Sequence, residues 1–156
     1  MPVTETRPPL RPLSLFALNV RGQLFRDSAL VTQDAGTVDI LALTETWLEE
    51  GSAAPSISGY EAFNFARPAC FQKDSSRGGI TIYVTREVAP HVTVHHSDCT
   101  NSFVILRVSQ SVGYFDRDLY LIVTYIVPRN NSDVSLKTRA VWSEIQECVT
   151  ALMILQ

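Results

Sequence analysis

The sequence predicts a mixed α/β (α+β) fold in which strands outweigh helices. Three observations support this: short apolar runs of strand length recur along the chain, one long segment near the C-terminal end has helical spacing, and no internal repeat interrupts the order. With 156 residues, 46% of them hydrophobic and 19% charged, the chain can bury a core of its own.

The first two strands are predicted from runs that are apolar on both alternating faces. Leu13 to Val20 has this pattern, which is typical of a fully buried central strand, and Val38 to Thr44 repeats it. Between them, Gln23 to Asp34 supplies a weakly helical stretch that Gly36 closes. The expected order is therefore strand, helix, strand.

Further strands are predicted from β-branched and aromatic runs along the rest of the chain. They cover Gly79 to Val84, Phe103 to Val108 and Leu119 to Val127, with shorter ones at Tyr60 to Phe65 and His91 to Val94.

From about Val134 the pattern becomes helical, because apolar residues recur at spacings of three and four. These are Val141, Ile145, Cys148, Val149 and Leu152. Ser132, Asp133 and Ser135 are candidate N-caps. An amphipathic helix needs a partner surface and is normally followed by another strand, so we expect the domain to continue beyond this chain.

Composition constrains the setting. Residues 1–12 are proline-punctuated and polar, which predicts a flexible leader before a domain over residues 13–156. Three cysteines without a CxxC pair favour a reducing intracellular compartment, nucleus or cytoplasm, and no run resembles a signal peptide or a membrane span. A net charge of −3 means that contact with nucleic acid would need a local basic patch.

Two polar residues follow the first two predicted strands. Asn19 lies at the end of one strand and Glu45 at the end of the other. If the strands are parallel neighbours, these side chains meet at the sheet edge where open α/β sheets bind ligands. A carboxylate with a neutral oxygen donor suits Mg²⁺. The alternative is that Asn19 begins a turn and Glu45 is a solvated loop residue.

Five segments, in this order, resemble the endonuclease/exonuclease/phosphatase family. They are LSLFALNVRG, VDILALTETWL, ISGYEAFNFAR, SSRGGITIYV and LIVTYIVP. Within the family the chain looks most like the endonuclease domains of non-LTR retrotransposons, where Asn-Val-Arg and Leu-Thr-Glu-Thr-Trp-Leu segments are familiar. The resemblance implies the N-terminal half of a four-layer, two-sheet sandwich with outer helices. It also implies that Asn19 and Glu45 are metal-site and phosphate-positioning residues.

The family also uses a tyrosine two residues before a proline to bind phosphate. Here Tyr125 lies three residues before Pro128, and alignment on the proline places Ile126 at the tyrosine position. Either a β-bulge returns Tyr125 to the site or the role is lost.

The family's later catalytic residues, an Asp-x-Asn pair, a late aspartate and a Ser-Asp-His ending, do not occur in the sequence. We therefore expect negligible hydrolysis by this chain acting by itself.

Other candidates are weaker. Arg67 and Arg77 lie in a loop that could contact a nucleic-acid backbone, although a solvated loop is the simpler interpretation. The cluster of His91, His95, His96 and Cys99 lacks the tight spacing of a zinc motif. With half the sandwich absent, we expect uncovered apolar faces on the strands at 103–108 and 119–127, and self-association through sheet edges.

The function implied by the resemblance is Mg²⁺-dependent hydrolysis of DNA phosphodiester bonds by the complete domain, with DNA as partner and no membrane. A second possibility is a degenerate remnant or binding module on the same scaffold. A third is a phosphatase acting on inositol phosphates or lipids, because the fold does not determine the substrate.

Overall fold

A computed structural model describes residues 11–22, 38–69, 78–126 and 133–154, with helix side chains described from 138 to 153. The described residues contain seven strands and one long α-helix. These are β1 (Leu15–Asn19), β2 (Ile40–Thr44), β3 (Tyr60–Phe65), β4 (Ile80–Thr85), β5 (Val92–Ser97), β6 (Phe103–Val108), β7 (Leu119–Thr124) and α1 (Asp133–Ile154). The helical prediction for 23–34 lies outside the described residues.

The strands form two sheets. The first has the order β1-β2-β4-β3, in which β1 and β2 are parallel and the other pairs are antiparallel. The second is the antiparallel sheet β5-β6-β7. β2 is central and buried, as its two-sided apolar pattern predicts.

The main core lies between the two sheets. Alternate residues of β2 and β4, among them Ile40 and Ile82, pack with Val104 and Leu106 of β6. The other face of the first sheet buries Leu43 with neighbours from the flanking loops. Because successive strand side chains point to opposite faces, each central strand contributes to two layers.

Two predictions from the sequence are wrong. β1 was predicted to be a buried central strand, but it lies at an edge of the described sheet. It pairs there with β2 alone, and Leu15 is 49% exposed. The strand at 103–108 does not lack cover: α1 packs Ile145 against Phe103 and Ile105 on its outer face. β7 is partly covered, because Leu121 packs against the main core and Ile122 against the cluster that includes Ile145, whereas Leu119 stays 40% exposed.

Sheet edges remain open within the described part of the chain. β1, β3, β5 and β7 each pair on one side there. Self-association through these edges stays a prediction. Among the described residues, no helix combines the length and apolarity needed to cross a membrane.

A buried carboxylate joins the start of β1 to the start of β2. Asp39 is 4% exposed and accepts hydrogen bonds from the Ser14 amide at 2.8 Å and the Ser14 hydroxyl at 2.7 Å. Arg11, within the segment predicted to be a leader, forms an ion pair with Asp39 at 2.9 Å. Its guanidinium also lies over the ring of Tyr114, 4.1 Å from the ring centroid.

Asp39→Ala should lower the free energy of unfolding by about 1–3 kcal/mol, because the partly buried donors of Ser14 lose their acceptor. Urea denaturation followed by circular dichroism measures this. Glu61→Ala, at an exposed carboxylate of β3, serves as the control and should change stability little. Equal stability of the two variants would contradict the assignment of Asp39 as a structural link.

Candidate functional site

The first two site residues meet at the end of the first sheet. The parallel register pairs Asn19, the last residue of β1, with Thr44, the last residue of β2, and Glu45 comes next. The Asn19 side-chain amide donates a hydrogen bond to Glu45 Oε1 at 3.1 Å. Two neighbouring parallel strands therefore bring the amide and the carboxylate together, as the sequence pattern predicts.

Tyr125 reaches the same carboxylate from the second sheet. Its hydroxyl donates a hydrogen bond to Glu45 Oε1, and its backbone amide donates to the carbonyl of Ser102 at 2.8 Å. The β6–β7 register is regular up to Thr124, so no bulge in that strand is needed to place the tyrosine. The register shift in this sheet lies in β5, between Val94 and His96.

The Glu45 carboxylate is held in its charged form. Partial burial raises the pKa of Glu45, but the hydrogen bonds from Tyr125 and Asn19, the positive charge of Arg21 and the side chain of Trp47 lower it by more, so that the net pKa is below its ordinary value. The carboxylate is therefore an anion at neutral pH. The hydrogen bonds from Asn19 and Tyr125 both reach Oε1.

The loops that carry these residues have left-handed backbone. Arg21, Glu45 and Trp47 have φ values of 45°, 55° and 54°, a conformation that costs non-glycine residues on the order of 1–2 kcal/mol each. Such residues persist where surrounding contacts hold them, and they cluster at functional sites. Here the Gly22 amide donates to the Glu45 carbonyl at 2.7 Å.

The loop after β2 is also held from its other side. The Trp47 amide donates to the Gly78 carbonyl at 3.0 Å. Thr46 is fully buried, and a Cβ on Gly79 would lie 2.9 Å from its hydroxyl oxygen, so only glycine fits at this approach. The carboxylate thus sits on a loop clamped between β1 and β4.

The remaining sequence candidates have different outcomes. Arg67 is half buried after β3. Its backbone amide lies near the contact between Gly79 and Thr46, and Thr46 is the residue that follows Glu45. Asn101, from the β5–β6 loop, donates to the Ala66 carbonyl at 2.7 Å and brings that loop to the same end of the sandwich. Arg77 lies outside the described residues.

The histidines form no common site. His96 pairs with Glu144 of α1 at 2.9 Å, His91 hydrogen-bonds the Ser111 hydroxyl at 2.8 Å, and His95 contacts the Tyr120 ring. In the described ranges no group of three or more His, Cys, Asp or Glu residues could enclose a metal ion.

Arg21 is a residue that the sequence reasoning did not select. Its backbone amide donates to Asn19 Oδ1 at 3.2 Å, and its charge acts on Glu45 although none of the described ion pairs includes it. The signal was its place two residues after Asn19, in the loop that follows the strand. It adds positive charge to the site without neutralising the carboxylate by direct contact.

The donor set fits a hard divalent cation that keeps most of its own water. One ionised carboxylate next to an amide resembles the sparse protein ligation that Mg²⁺ accepts when substrate phosphate completes its shell. Within the described part of the chain, it lacks the three or more His, Cys, Asp or Glu ligands of an enclosed calcium or zinc site.

Comparison with known proteins identifies the fold. No family model and no curated protein matches the sequence. Among solved structures, the AP endonuclease LMAP from Leishmania major is similar to this chain, with a TM-score of 0.61 and 18% identity over 81% of this chain. The match covers 44% of that structure's chain, so the present chain spans less than half of its length. The likeness confirms the predicted partial α/β sandwich with two sheets.

A pH dependence follows from the depressed pKa of Glu45. A carboxyl group whose pKa is lower in the folded state stabilises the fold above its ordinary pKa, and this contribution is lost as the pH falls through the folded value. The free-energy difference between the wild type and Glu45→Gln should therefore shrink from neutral pH into acid. Urea titrations at several pH values measure it, with Glu61→Gln as control. A difference that does not change with pH would contradict the charged state assigned to Glu45.

Proposed function

We propose that this chain forms part of an endonuclease/exonuclease/phosphatase domain that hydrolyses DNA phosphodiester bonds with Mg²⁺. The observation that carries the proposal is the meeting of Asn19, Glu45 and Tyr125, which arrive from three different strands at one end of the sandwich. The fold shared with an AP endonuclease supports it. So does the sequence likeness to retrotransposon endonucleases around Asn19 and Glu45.

The roles follow from the chemistry of each group. Glu45 holds the cation through its ionised carboxylate, and Asn19 orients that carboxylate through its amide. The Tyr125 hydroxyl is a donor that can turn from Glu45 to a phosphoryl oxygen when substrate enters. When bound, Mg²⁺ supplies Lewis-acid stabilisation of charge on the phosphoryl group.

Activation of water requires a group beyond those described. The three histidines of the chain contact Glu144, Ser111 and Tyr120, and none of these contacts is with Glu45. We therefore infer that this chain acting by itself hydrolyses DNA negligibly, and that catalysis requires the remainder of the fold. The same observation favours the second candidate, a non-catalytic module that uses the scaffold to bind nucleic acid.

Mn²⁺, used as a spectroscopic probe for the magnesium site, should bind this chain weakly and through Glu45. Glu45→Gln should abolish the binding, because it removes the carboxylate charge and keeps the side-chain shape. Electron paramagnetic resonance of free Mn²⁺ measures it. Glu61→Gln is the matched control and should bind like the wild type. Unchanged binding by Glu45→Gln would overturn Glu45 as the metal ligand.

Nicking of supercoiled plasmid in Mg²⁺ separates the two candidate functions. The chain by itself should not nick, whereas a chimera that adds the part of the Leishmania AP endonuclease outside the match should nick, and Glu45→Gln in the chimera should slow it by at least about 100-fold. Nicking by the short chain would refute the inferred need for further residues. A folded, Mn²⁺-binding chimera without nicking would favour the non-catalytic module.

Arg21 should contact a DNA phosphate. Arg21→Gln should reduce the slope of log binding constant against log salt by about one unit, as expected for one lost phosphate contact. Fluorescence anisotropy of a labelled duplex in EDTA measures this without metal. The control is Arg117→Gln, an exposed arginine just before β7 at the opposite end of that strand from Tyr125. Equal slopes for both variants would exclude Arg21 from the interface.

A further inference from the structure

We propose that Trp47 is a positioning residue for Glu45, acting through the stack of its indole ring on Gly22. The proposal rests on the function proposed for Glu45 and goes beyond it, because it assigns to a residue outside the metal and phosphate contacts the task of holding the carboxylate in place. Trp47 lies two residues after Glu45, and the two share the left-handed backbone of one short loop.

The ring and the glycine are in close contact. A Cβ added to Gly22 would lie 2.5 Å from Trp47 Cδ2, 2.7 Å from Cζ3 and closer still to Cε3. The indole therefore lies against the glycine with no room for a side chain between them. Gly22 also has φ of 73°, so both its conformation and its neighbour require glycine.

This stack connects the loops that hold the carboxylate. The Gly22 amide donates to the Glu45 carbonyl at 2.7 Å, so the glycine under the ring is also a hydrogen-bond partner of the site residue. On the other side, the Trp47 amide donates to the Gly78 carbonyl at 3.0 Å, before β4. Trp47 therefore ties the β1 loop, the β2 loop and the start of β4 together around Glu45.

Ordinary core packing does not account for this position. Trp47 is only partly buried and belongs to none of the three hydrophobic clusters formed by the described residues, whereas its neighbour Leu48 is 1% exposed. The large ring packs instead against Gly22, a loop residue whose amide bonds the Glu45 carbonyl. Its effect is to restrict the backbone that carries Glu45 in a conformation that such residues seldom adopt.

Amide hydrogen exchange on the whole chain tests the proposal. Trp47→Ala should speed exchange at Gly22 and at position 47 by at least about tenfold, because their acceptors are no longer held in place, while the amides of β4 keep their protection. Trp47→Phe retains a ring on Gly22 and should restore most of the protection. Trp142→Ala, at the half-exposed tryptophan of α1, is the matched control and should leave Gly22 unchanged.

Mn²⁺ binding by the same variants gives the functional measurement. Trp47→Ala should weaken binding by about 10- to 100-fold, the range for residues that orient a metal ligand, and Trp47→Phe should weaken it less. Unchanged exchange at Gly22 in Trp47→Ala would overturn the proposal. So would equally faster exchange throughout β4, since Trp47 would then stabilise the fold as a whole.

The two proposals fail in different ways. A wild-type chain that binds no Mn²⁺ would refute the metal role of Glu45 but leave the exchange experiment intact. Trp47→Ala that loses protection at Gly22 yet binds Mn²⁺ like the wild type would overturn the positioning role and leave the metal role standing.

Discussion

Face-to-face packing of the two sheets is the constraint on which the site depends. Ile40 and Ile82 of the first sheet and Val104 and Leu106 of the second form one buried layer, and this layer sets how the strand ends face each other. Tyr125 follows β7 in one sheet, and its hydroxyl reaches Glu45 after β2 in the other. A shift between the sheets would separate these groups, because they are carried by different sheets.

The site combines a simple donor set with a costly backbone. One carboxylate accepts bonds from an amide and a phenol through Oε1, and its charge is favoured by those bonds and by Arg21. Glu45 and Trp47 have left-handed backbone in this loop. Hydrogen bonds to Gly22 and Gly78 hold that conformation. The free energy of these contacts offsets the strain, so the carboxylate is placed before any ligand arrives.

Local pattern predicted much of the secondary structure. β3 and β6 begin and end where their apolar and aromatic runs do. The pattern failed at β1, because apolar residues on both faces indicate burial but do not say which strands will lie alongside. It also misjudged the cover over β6, because the outer face packs against Ile145 of a helix about forty residues later in the chain.

The sequence by itself determined the pair Asn19 and Glu45, since each follows an apolar strand and parallel neighbouring strands end at the same sheet edge. It left Tyr125 undecided, because spacing to a proline cannot show where a strand stops. Only the tertiary structure decided that β7 ends at Thr124 and that the next hydroxyl reaches Glu45 across the two sheets. It also brought Trp47 onto Gly22, a contact between loops that no spacing along the chain reveals.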